Sequence, residues 1–449
     1  MTNPTPTRVV VLGGGFAGLE TARRLQKLFP SGDLHLTLVN RENHFLFTPM
    51  LHEVAASDLD ITHIVSPVRK LLRSGVFFAG EVTGIDLDAR LLSLRHSEGG
   101  HPHQISYDHL VLALGTVTNF YNLPGLQERS LTMKSLGDAI LLRNRIIELL
   151  EAADFECATD ERHDLLTFLV AGGGFAGVET VAAVNDFVRE ALEFYPHLGE
   201  KDIRVILVHA GPVILPELSP KLGVYAERQL AKRGVEIRVN TTVKGASAHG
   251  VELSDGTMVR ATTIVWTAGT SANPVIAGLP CATERGRVPV NEYLEVRGWP
   301  NVWALGDCAV VPDPRTGKPY PPTAQHALRQ GRVLAHNIAA QIRGGRKKAF
   351  VFTTLGQLAA IGRRTGVANI LGINFSGFIA WLLWRSIYLM KLPRLERKFR
   401  VALDWTLDLF LTKDLVQFQT GRSHSLSSED AEPSSPERLE HPVRQPQPR

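Results

Sequence analysis

Cysteine is scarce in this sequence, with three residues that lie far apart at positions 157, 281 and 308. No two of them form a CxxC pair, which argues against a disulfide framework or a cysteine-ligated zinc site and fits a reducing compartment. No Cys/His metal cluster stands out, so we expect no metal site. The N-terminus MTNPTPTRVVVLGGG lacks the charged region and apolar core of a signal peptide.

Long hydrophobic runs are also lacking. A standard membrane-spanning helix needs about 18 or more consecutive apolar residues, and the chain has no such run. The net charge is only +4, but twelve Lys or Arg residues stand against one acid between Arg343 and Arg400. A basic C-terminal segment on an acidic body predicts that this segment meets an acidic surface.

The chain does contain one glycine-rich stretch twice. GGGFAGLET occupies residues 13–21 and GGGFAGVET occupies residues 172–180. Each copy lies between a short β-branched run and an Ala/Leu-rich run, and this strand–turn–helix context makes G-x-G-x-x-G indicative of a dinucleotide site. The three glycines permit a tight turn, approach to a pyrophosphate, and helix packing; they are Gly13, Gly15, Gly18 and Gly172, Gly174, Gly177. The sequence therefore predicts two bound dinucleotides.

The second strand of such a unit should end in an acid that binds the adenosine ribose. Here LHLTLVN ends at Asn40 and IRVILVH ends at His209. Asparagine still bonds a hydroxyl, although less strongly than a carboxylate. For His209, a ribose contact and a surface residue at the strand end both remain open.

The order of the later segments resembles that of the two-dinucleotide-binding-domain flavoproteins. Two hydrophobic strands end in glycine at Gly115 and Gly269, and NVWALGDCA at 301–309 ends a further strand in Gly-Asp. In that superfamily the first motif binds FAD, the second binds NAD(P)H, and the Gly-Asp strand returns to the FAD domain.

Within this superfamily, roughly residues 8–411 resemble the type II NADH dehydrogenases, which are single-chain NADH:quinone oxidoreductases. The motifs that carry the resemblance are NHFLFTPMLHEVA at 43–55, GVET at 177–180, TAQHALRQG at 323–331, and GFIAWLLWRSIYL followed by a basic amphipathic helix. The segment FLFTPMLHEV contains no redox CxxxxC, so electrons must leave the flavin directly to an external acceptor.

The resemblance implies an α/β fold with two Rossmann-like dinucleotide-binding domains and a C-terminal helical membrane-association segment. We expect FAD-binding parts at 1–125 and 276–345, an NAD(P)H-binding domain at 126–275, and membrane association at 346–415. Residues 416–449 are polar and rich in Pro and Ser, which predicts a disordered tail.

The resemblance also implies the site residues. Expected FAD contacts are Gly13, Gly15, Gly18, Asn40, Arg41, Gly115, Asp307 and Gln325. Expected NAD contacts are Gly172, Gly174, Gly177, Glu179, His209 and Gly269. Reaction residues are Glu179 near the nicotinamide and flavin, Gln325 at the quinone, and Arg329 where the family usually has a second glutamine. Glu20, equivalent to Glu179 in the first copy, remains open as a ribose contact or an ordinary helix glutamate.

The C-terminal segment carries the membrane prediction. Residues 376–390 are nearly all apolar but too short to span a bilayer, and Phe399, Leu403, Leu407 and Phe410 share one stripe at helical spacing. Together with Trp381, Trp384, Trp405 and the basic excess, they predict helices that lie in a membrane interface on anionic lipid. A buried dimer interface is the alternative.

These features predict a peripheral membrane protein at the cytoplasmic face. It would be a non-proton-pumping enzyme that passes hydride from NADH to FAD and then two electrons to a membrane quinone. A soluble NAD(P)H-dependent flavin reductase and a redox-sensing flavoprotein, as in the apoptosis-inducing-factor branch, are the alternatives. NADPH stays open as a second donor and a homodimer stays open as the assembly; no nucleic-acid partner is expected.

Overall fold

A computed structural model describes residues 6–30, 33–96 and 100–418. Within these residues the α-helices are α1 (Phe16–Leu28), α2 (Leu51–Ala55), α3 (Val68–Leu71), α4 (Leu126–Arg129), α5 (Leu136–Phe155), α6 (Thr159–Leu165), α7 (Phe175–Ala191), α8 (Pro220–Lys232), α9 (Pro274–Ala277), α10 (Ala324–Arg343), α11 (Gly377–Lys391) and α12 (Leu395–Leu407).

The strands in the same residues are β1 (Thr7–Leu12), β2 (Leu34–Asn40), β3 (His44–Leu46), β4 (Val65–Pro67), β5 (Val76–Ala79), β6 (Glu81–Asp86), β7 (Leu91–Arg95), β8 (Pro102–Ser106), β9 (His109–Leu112), β10 (Thr116–Thr118), β11 (Leu131–Thr132), β12 (Thr167–Ala171), β13 (Arg204–Val208), β14 (Val235–Arg238), β15 (Val243–Ser247), β16 (Gly250–Leu253), β17 (Met258–Val259), β18 (Thr263–Trp266), β19 (Thr270–Ala272), β20 (Val288–Pro289), β21 (Val302–Ala304), β22 (Ala309–Val310), β23 (Gly356–Ala360), β24 (Gly366–Ile370) and β25 (Ile373–Ser376).

The first sheet is parallel and has the order β21–β9–β1–β2–β5. Its central strands are continuous apolar runs, as expected where both faces of a parallel sheet are covered. On one of these faces α1 packs against α10. The chain leaves this sheet after β9 and returns to it with β21, so the Gly-Asp turn lies at the same sheet edge as the first glycine loop.

The second sheet repeats this arrangement in the order β11–β18–β12–β13–β14, and it is also parallel. Here β12, α7 and β13 take the places that β1, α1 and β2 hold in the first unit. Both glycine loops therefore lie at carboxyl ends of parallel strands, where open α/β sheets bind their ligands. The structure has the α/β class predicted from the sequence.

The C-terminal region consists of the antiparallel sheet β23–β24–β25 and the helices α11 and α12. In the part of the chain that the structure describes, each helix is too short or too polar to cross a membrane. The outer faces of both helices expose large apolar side chains; these include Phe378, Ile379, Leu382, Phe399, Leu403 and Leu407. Phe410 is exposed as well but lies beyond the end of α12.

Two of the tryptophans assigned to the membrane interface are not there, so that part of the prediction is wrong. Trp384 is 0% exposed and Trp405 is 6% exposed, because both indoles pack inward and hydrogen-bond to buried carboxyl groups. The sequence predicts a disordered tail from residue 416, yet the side chain of Asn144 bonds both the backbone N–H and the backbone C=O of Phe418. The remainder of the predicted tail, 419–449, lies outside the described residues.

Candidate active site

The first glycine loop packs closely against the neighbouring backbone at Gly13 and is open at Gly15. Gly13 has φ +105, and a Cβ there would overlap Ala113 O, so only glycine fits this turn. At Gly15, by contrast, a Cβ would meet no atom within 4 Å. Since Gly15 caps the N-terminus of α1 without a side-chain bond, free N–H groups face this open space. The loop fits an anionic pyrophosphate.

The second loop has the same geometry. Gly172 has φ +119, and the nearest atom to a Cβ at Gly174 is Glu217 Oε1 at 3.4 Å. Gly174 caps α7 as Gly15 caps α1, again without a side-chain bond. Gly269 lies beside Tyr121, whose ring fills the place of a Cβ at this glycine. The two copies in the sequence are therefore two equivalent cradles.

Asn40 and His209 take equivalent places against these loops. Asn40 Oδ1 accepts the Gly14 N–H at 2.8 Å, and His209 Nδ1 accepts the Gly173 N–H at 3.2 Å. Because Nδ1 of His209 accepts, a neutral ring carries its proton on Nε2, which is buried without a hydrogen-bond partner among the described residues. His209 is thus a loop contact rather than an uninvolved surface residue. Arg41 follows Asn40 and is exposed.

The Gly-Asp turn is held by a residue that sequence reasoning did not assign. Gln330 Oε1 accepts the Gly306 N–H at 2.8 Å, immediately before Asp307. Burial raises the pKa of Asp307, and the nearby charge of Lys134 opposes this rise. Gly115, with φ +65, lies between β9 and β10 rather than at a strand end, and the space at its Cβ position is open. Gln330 faces away from Gln325, as helical spacing predicts, but nothing in the sequence indicates its bond to Gly306.

Glu179 lies where α7 meets the C-terminal region. Its Oε1 accepts hydrogen bonds from Trp384 Nε1 at 3.0 Å and from Ala360 N at 3.1 Å. His52 Nδ1 lies 3.8 Å from the other carboxyl oxygen. Burial raises the pKa of Glu179 to about 8, against the effect of the two hydrogen bonds. This carboxyl therefore holds its proton at neutral pH.

Glu20, at the equivalent position of the first copy, has different surroundings. Arg332 Nε lies 2.8 Å and Arg24 Nε 3.1 Å from its Oε1. Glu20 is thus tied to α10 and to its own helix by arginines. The repeated Gly-x-Glu-Thr pattern places two acids alike, but their partners separate their roles.

Gln325 and Arg329 lie together at the start of α10. Both ends of the Gln325 amide bond the backbone, because Nε2 donates to Gly356 O at 3.1 Å and Oε1 accepts from Leu355 N at 3.3 Å. The guanidinium of Arg329 lies 4.1 Å from the centre of the Phe352 ring. This arrangement couples α10 to the segment that leads into β23.

Aromatic rings link the first loop to α11. Phe16, the first residue of α1, lies edge-on to Phe45 and Phe47 at centroid distances of 5.1 and 5.8 Å. Phe47 in turn contacts the ring of Tyr388 at 6.1 Å. Phe45 and Phe47 are buried, so they belong to the core and also stand beside the first loop.

Known proteins match this chain over most of its length. The family model described as pyridine nucleotide-disulphide oxidoreductase matches residues 7–331, and the model described as NDH2 C-terminal domain matches residues 355–414. Type II NADH:quinone oxidoreductase Ndh of Mycobacterium tuberculosis is 33% identical over 426 residues, which cover 91% of this chain and 89% of the relative. Demethylphylloquinone reductase NdbB of Synechocystis is 34% identical, with coverages of 90% and 96%.

Solved structures share the fold. NDH2 from Plasmodium falciparum in complex with NADH has a TM-score of 0.86 with this chain at 18% sequence identity, covering 92% of this chain and 100% of that one. The sulfide:quinone oxidoreductase of Aquifex aeolicus has a TM-score of 0.68 at 20% identity and covers 90% of this chain and 95% of that one.

Proposed function

The chain belongs to the type II NADH:quinone oxidoreductases, within the pyridine nucleotide-disulphide oxidoreductase family, and we propose here how its residues carry out that reaction. It is an FAD-dependent oxidoreductase that takes hydride from NADH and passes two electrons to a quinone. These relatives support this activity rather than a reductase of another acceptor or a redox sensor.

The first glycine loop is proposed to hold FAD, which when bound accepts hydride and releases electrons. The open space at Gly15, above the N-terminus of α1, supports this assignment. The proposed contacts are Gly13, Gly15, Gly18, Asn40, Arg41, Gly115, Asp307 and Gln325. The FAD-binding parts are then residues 1–125 and 276–345, joined in one sheet by β21.

The second loop is proposed to hold NADH within residues 126–275. The proposed contacts are Gly172, Gly174, Gly177, Glu179, His209 and Gly269. The Nε2–H of His209 has no hydrogen-bond partner among the described residues, and we propose that a ribose hydroxyl accepts from it. The next residues, Ala210 to Pro212, bring no arginine for a 2′-phosphate. A modest preference for NADH over NADPH follows, since neither charge repulsion nor a cationic contact discriminates strongly.

Glu179 is proposed to supply a proton to the quinone. Hydride carries two electrons and one proton, whereas a quinol needs two of each, so one further proton must come from the protein or solvent. Glu179 is buried and holds a proton below about pH 8. Gln325 and Arg329 are proposed to orient the quinone, with the Arg329 guanidinium fixed over Phe352.

The C-terminal region, 346–415, is proposed to dock on an anionic membrane at the cytoplasmic face. Large apolar side chains exposed on α11 and α12 support this, as does the basic excess of the same segment. Negatively charged lipid attracts such basic segments while the apolar face enters the headgroup boundary. A stable dimer formed through this face, with no lipid binding, would assign it to a second copy of the chain instead.

The observation that carries the proposed cofactor assignment is the pair of equivalent glycine loops, each of which caps a helix N-terminus without a side-chain bond. A steady-state assay of flavin-loaded protein with NADH, NADPH and several quinones tests it. We expect rapid NADH oxidation that depends on quinone, and slower turnover with NADPH. Turnover without quinone at the same rate, with oxygen or another soluble acceptor, would contradict the proposal.

A further inference from the structure

A small cavity lies between α2, α7 and the C-terminal helices. Its volume is about 40 Å³, which is room for roughly three or four water molecules at about 10–15 Å³ each. Among the described residues, six carboxyl side chains line it; they are Glu53, Asp58, Glu179, Asp186, Glu190 and Asp408. So many acids around one buried cavity require either cationic partners or bound protons.

Four of these carboxyls have a cationic partner. The pairs are Asp58 with Lys413 at 2.6 Å, Glu190 with Arg363 at 3.1 Å, Asp408 with Arg385 at 3.7 Å, and Asp186 with Arg233. Each pair neutralises its own acid. These four carboxylates and their four cationic partners therefore carry no net charge.

Glu53 and Glu179 remain, and an indole holds each of them in place of a lysine or arginine. Trp405 Nε1 donates to Glu53 Oε2 at 3.2 Å, and Trp384 Nε1 donates to Glu179 Oε1 at 3.0 Å. The basic neighbour of Glu179 is His52, and burial lowers the pKa of that ring to about 3, so it is neutral. Two buried acids beside one cavity, neither with an ion-pair partner of its own, cannot both ionise at low cost.

The charged groups that face Glu53 come from four directions. They are Arg385 on α11, Asp408 after α12, Asp58 after α2, and Glu179 on α7. Burial raises the pKa of Glu53 to about 8, and the attraction of Arg385 only partly opposes this. Glu53 thus carries a proton at neutral pH, as Glu179 does.

We propose that Glu53 is a second proton-holding residue, which acts through Glu179 by passing it a proton across water in the cavity. This rests on the proposed function. NADH, quinone and one proton give NAD⁺ and quinol: hydride supplies two electrons and one proton, and Glu179 releases the second proton to the quinol. Glu53 then reprotonates Glu179, and solvent reprotonates Glu53 from the half-exposed edge at Glu190 and Arg363. No other reactant is needed.

The first test observes the proton directly, with FAD-loaded full-length protein. Infrared difference spectra between about pH 7 and about pH 10 should show two protonated-carboxyl C=O components, one that is lost in Glu53→Gln and another that is lost in Glu179→Gln. Because this measurement needs no quinone, it reports on Glu53 even if the enzyme failed to reduce any quinone. A spectrum unchanged in Glu53→Gln would overturn the proposal.

The second test separates the two half-reactions. In Glu53→Gln, reduction of the flavin by NADH should stay within about twofold of wild type, while kcat with a short-chain quinone falls about tenfold and its KM stays the same. Glu53→Asp should restore most of kcat. Asp202→Asn, a buried carboxyl outside the cavity whose acceptor oxygen is retained, should change neither rate.

Other results of these rate measurements would contradict either the relay or the proposed function. An equal loss in both half-reactions, or wild-type kcat across the pH profile of Glu53→Gln, would contradict the relay. Wild-type protein that oxidises NADH but reduces no quinone would instead contradict the proposed function, while the infrared band would still decide whether Glu53 holds a proton.

Discussion

Trp384 donates its indole N–H to Glu179 across 3.0 Å, which joins the inner face of α11 to the helix that follows the second glycine loop. On its outer face α11 exposes apolar side chains. The segment proposed to dock on lipid therefore also builds the wall around a buried acid. Removing it would expose Glu179, so single substitutions on the outer face are the sharper test of membrane docking.

We expect Gly15→Val to weaken FAD binding without unfolding the protein. A side chain at this position meets no protein atom but enters the space proposed for the pyrophosphate. FAD affinity should fall at least tenfold, about 1.4 kcal/mol. The ratio of flavin absorbance to protein absorbance after purification measures it. Gly84→Val, which meets only ordinary contacts in β6, should stay yellow; a folded, fully yellow Gly15→Val would contradict the assignment.

We expect His209→Glu to sharpen the preference for NADH. A carboxylate at this strand end accepts from the ribose hydroxyls and repels the 2′-phosphate of NADPH. One charge-assisted hydrogen bond is worth about 1.5–3 kcal/mol, so the ratio of kcat/KM for NADH to that for NADPH should rise about tenfold or more. His249→Glu, the same change at an exposed turn between β15 and β16, serves as the control for charge alone. A ratio unmoved by His209→Glu would mean that His209 does not face the ribose.

We expect Phe399→Glu combined with Leu403→Glu to release the protein from anionic liposomes. Both side chains lie on the outer face of α12, and Phe399 is 75% exposed, so the folded core does not depend on them. Charges on this face oppose its entry into the headgroup boundary. Reduction of the flavin by NADH should be unchanged. Phe155→Glu, an equally exposed phenylalanine (78%) at the end of α5, should leave sedimentation with liposomes intact.

Stability should fall as pH rises through the neutral range. The pKa values of Glu53 and Glu179 are raised from 4.5 to about 8 in the fold, so between these pH values the folded protein binds protons that the unfolded chain has lost. The free energy of unfolding then decreases with pH over this window. Melting temperatures at about pH 6 and about pH 8 should differ less in Glu53→Gln/Glu179→Gln than in wild type. Equal differences would show that these acids do not hold their protons.

The sequence was most informative where geometry demands a particular residue. Gly13 and Gly172 adopt φ values that favour glycine, and their surrounding strand and helix patterns are strong, so both units could be placed from the sequence. The sequence also predicts the exposed apolar stripe of α12, because apolar residues that recur with a period of about 3.6 lie on one face of a helix.

The sequence could not show how distant segments meet. The run that forms α11 is apolar on nearly all sides, so it gives no signal that Trp384 faces inward to Glu179. Gln330 bonds Gly306 across 24 residues, and Trp405 bonds Glu53 across 352. Such contacts depend on tertiary packing rather than on any local pattern.

The most direct test of the whole account is a double-mixing stopped-flow experiment with the FAD-loaded protein in anaerobic buffer. NADH is mixed first, and a short-chain quinone is added once the flavin absorbance has fallen. We predict that NADH bleaches the flavin and that quinone restores the absorbance at a rate at least equal to steady-state kcat. A flavin that NADH reduces but quinone reoxidises more slowly than turnover would contradict the assignment of this chain as an NADH:quinone oxidoreductase.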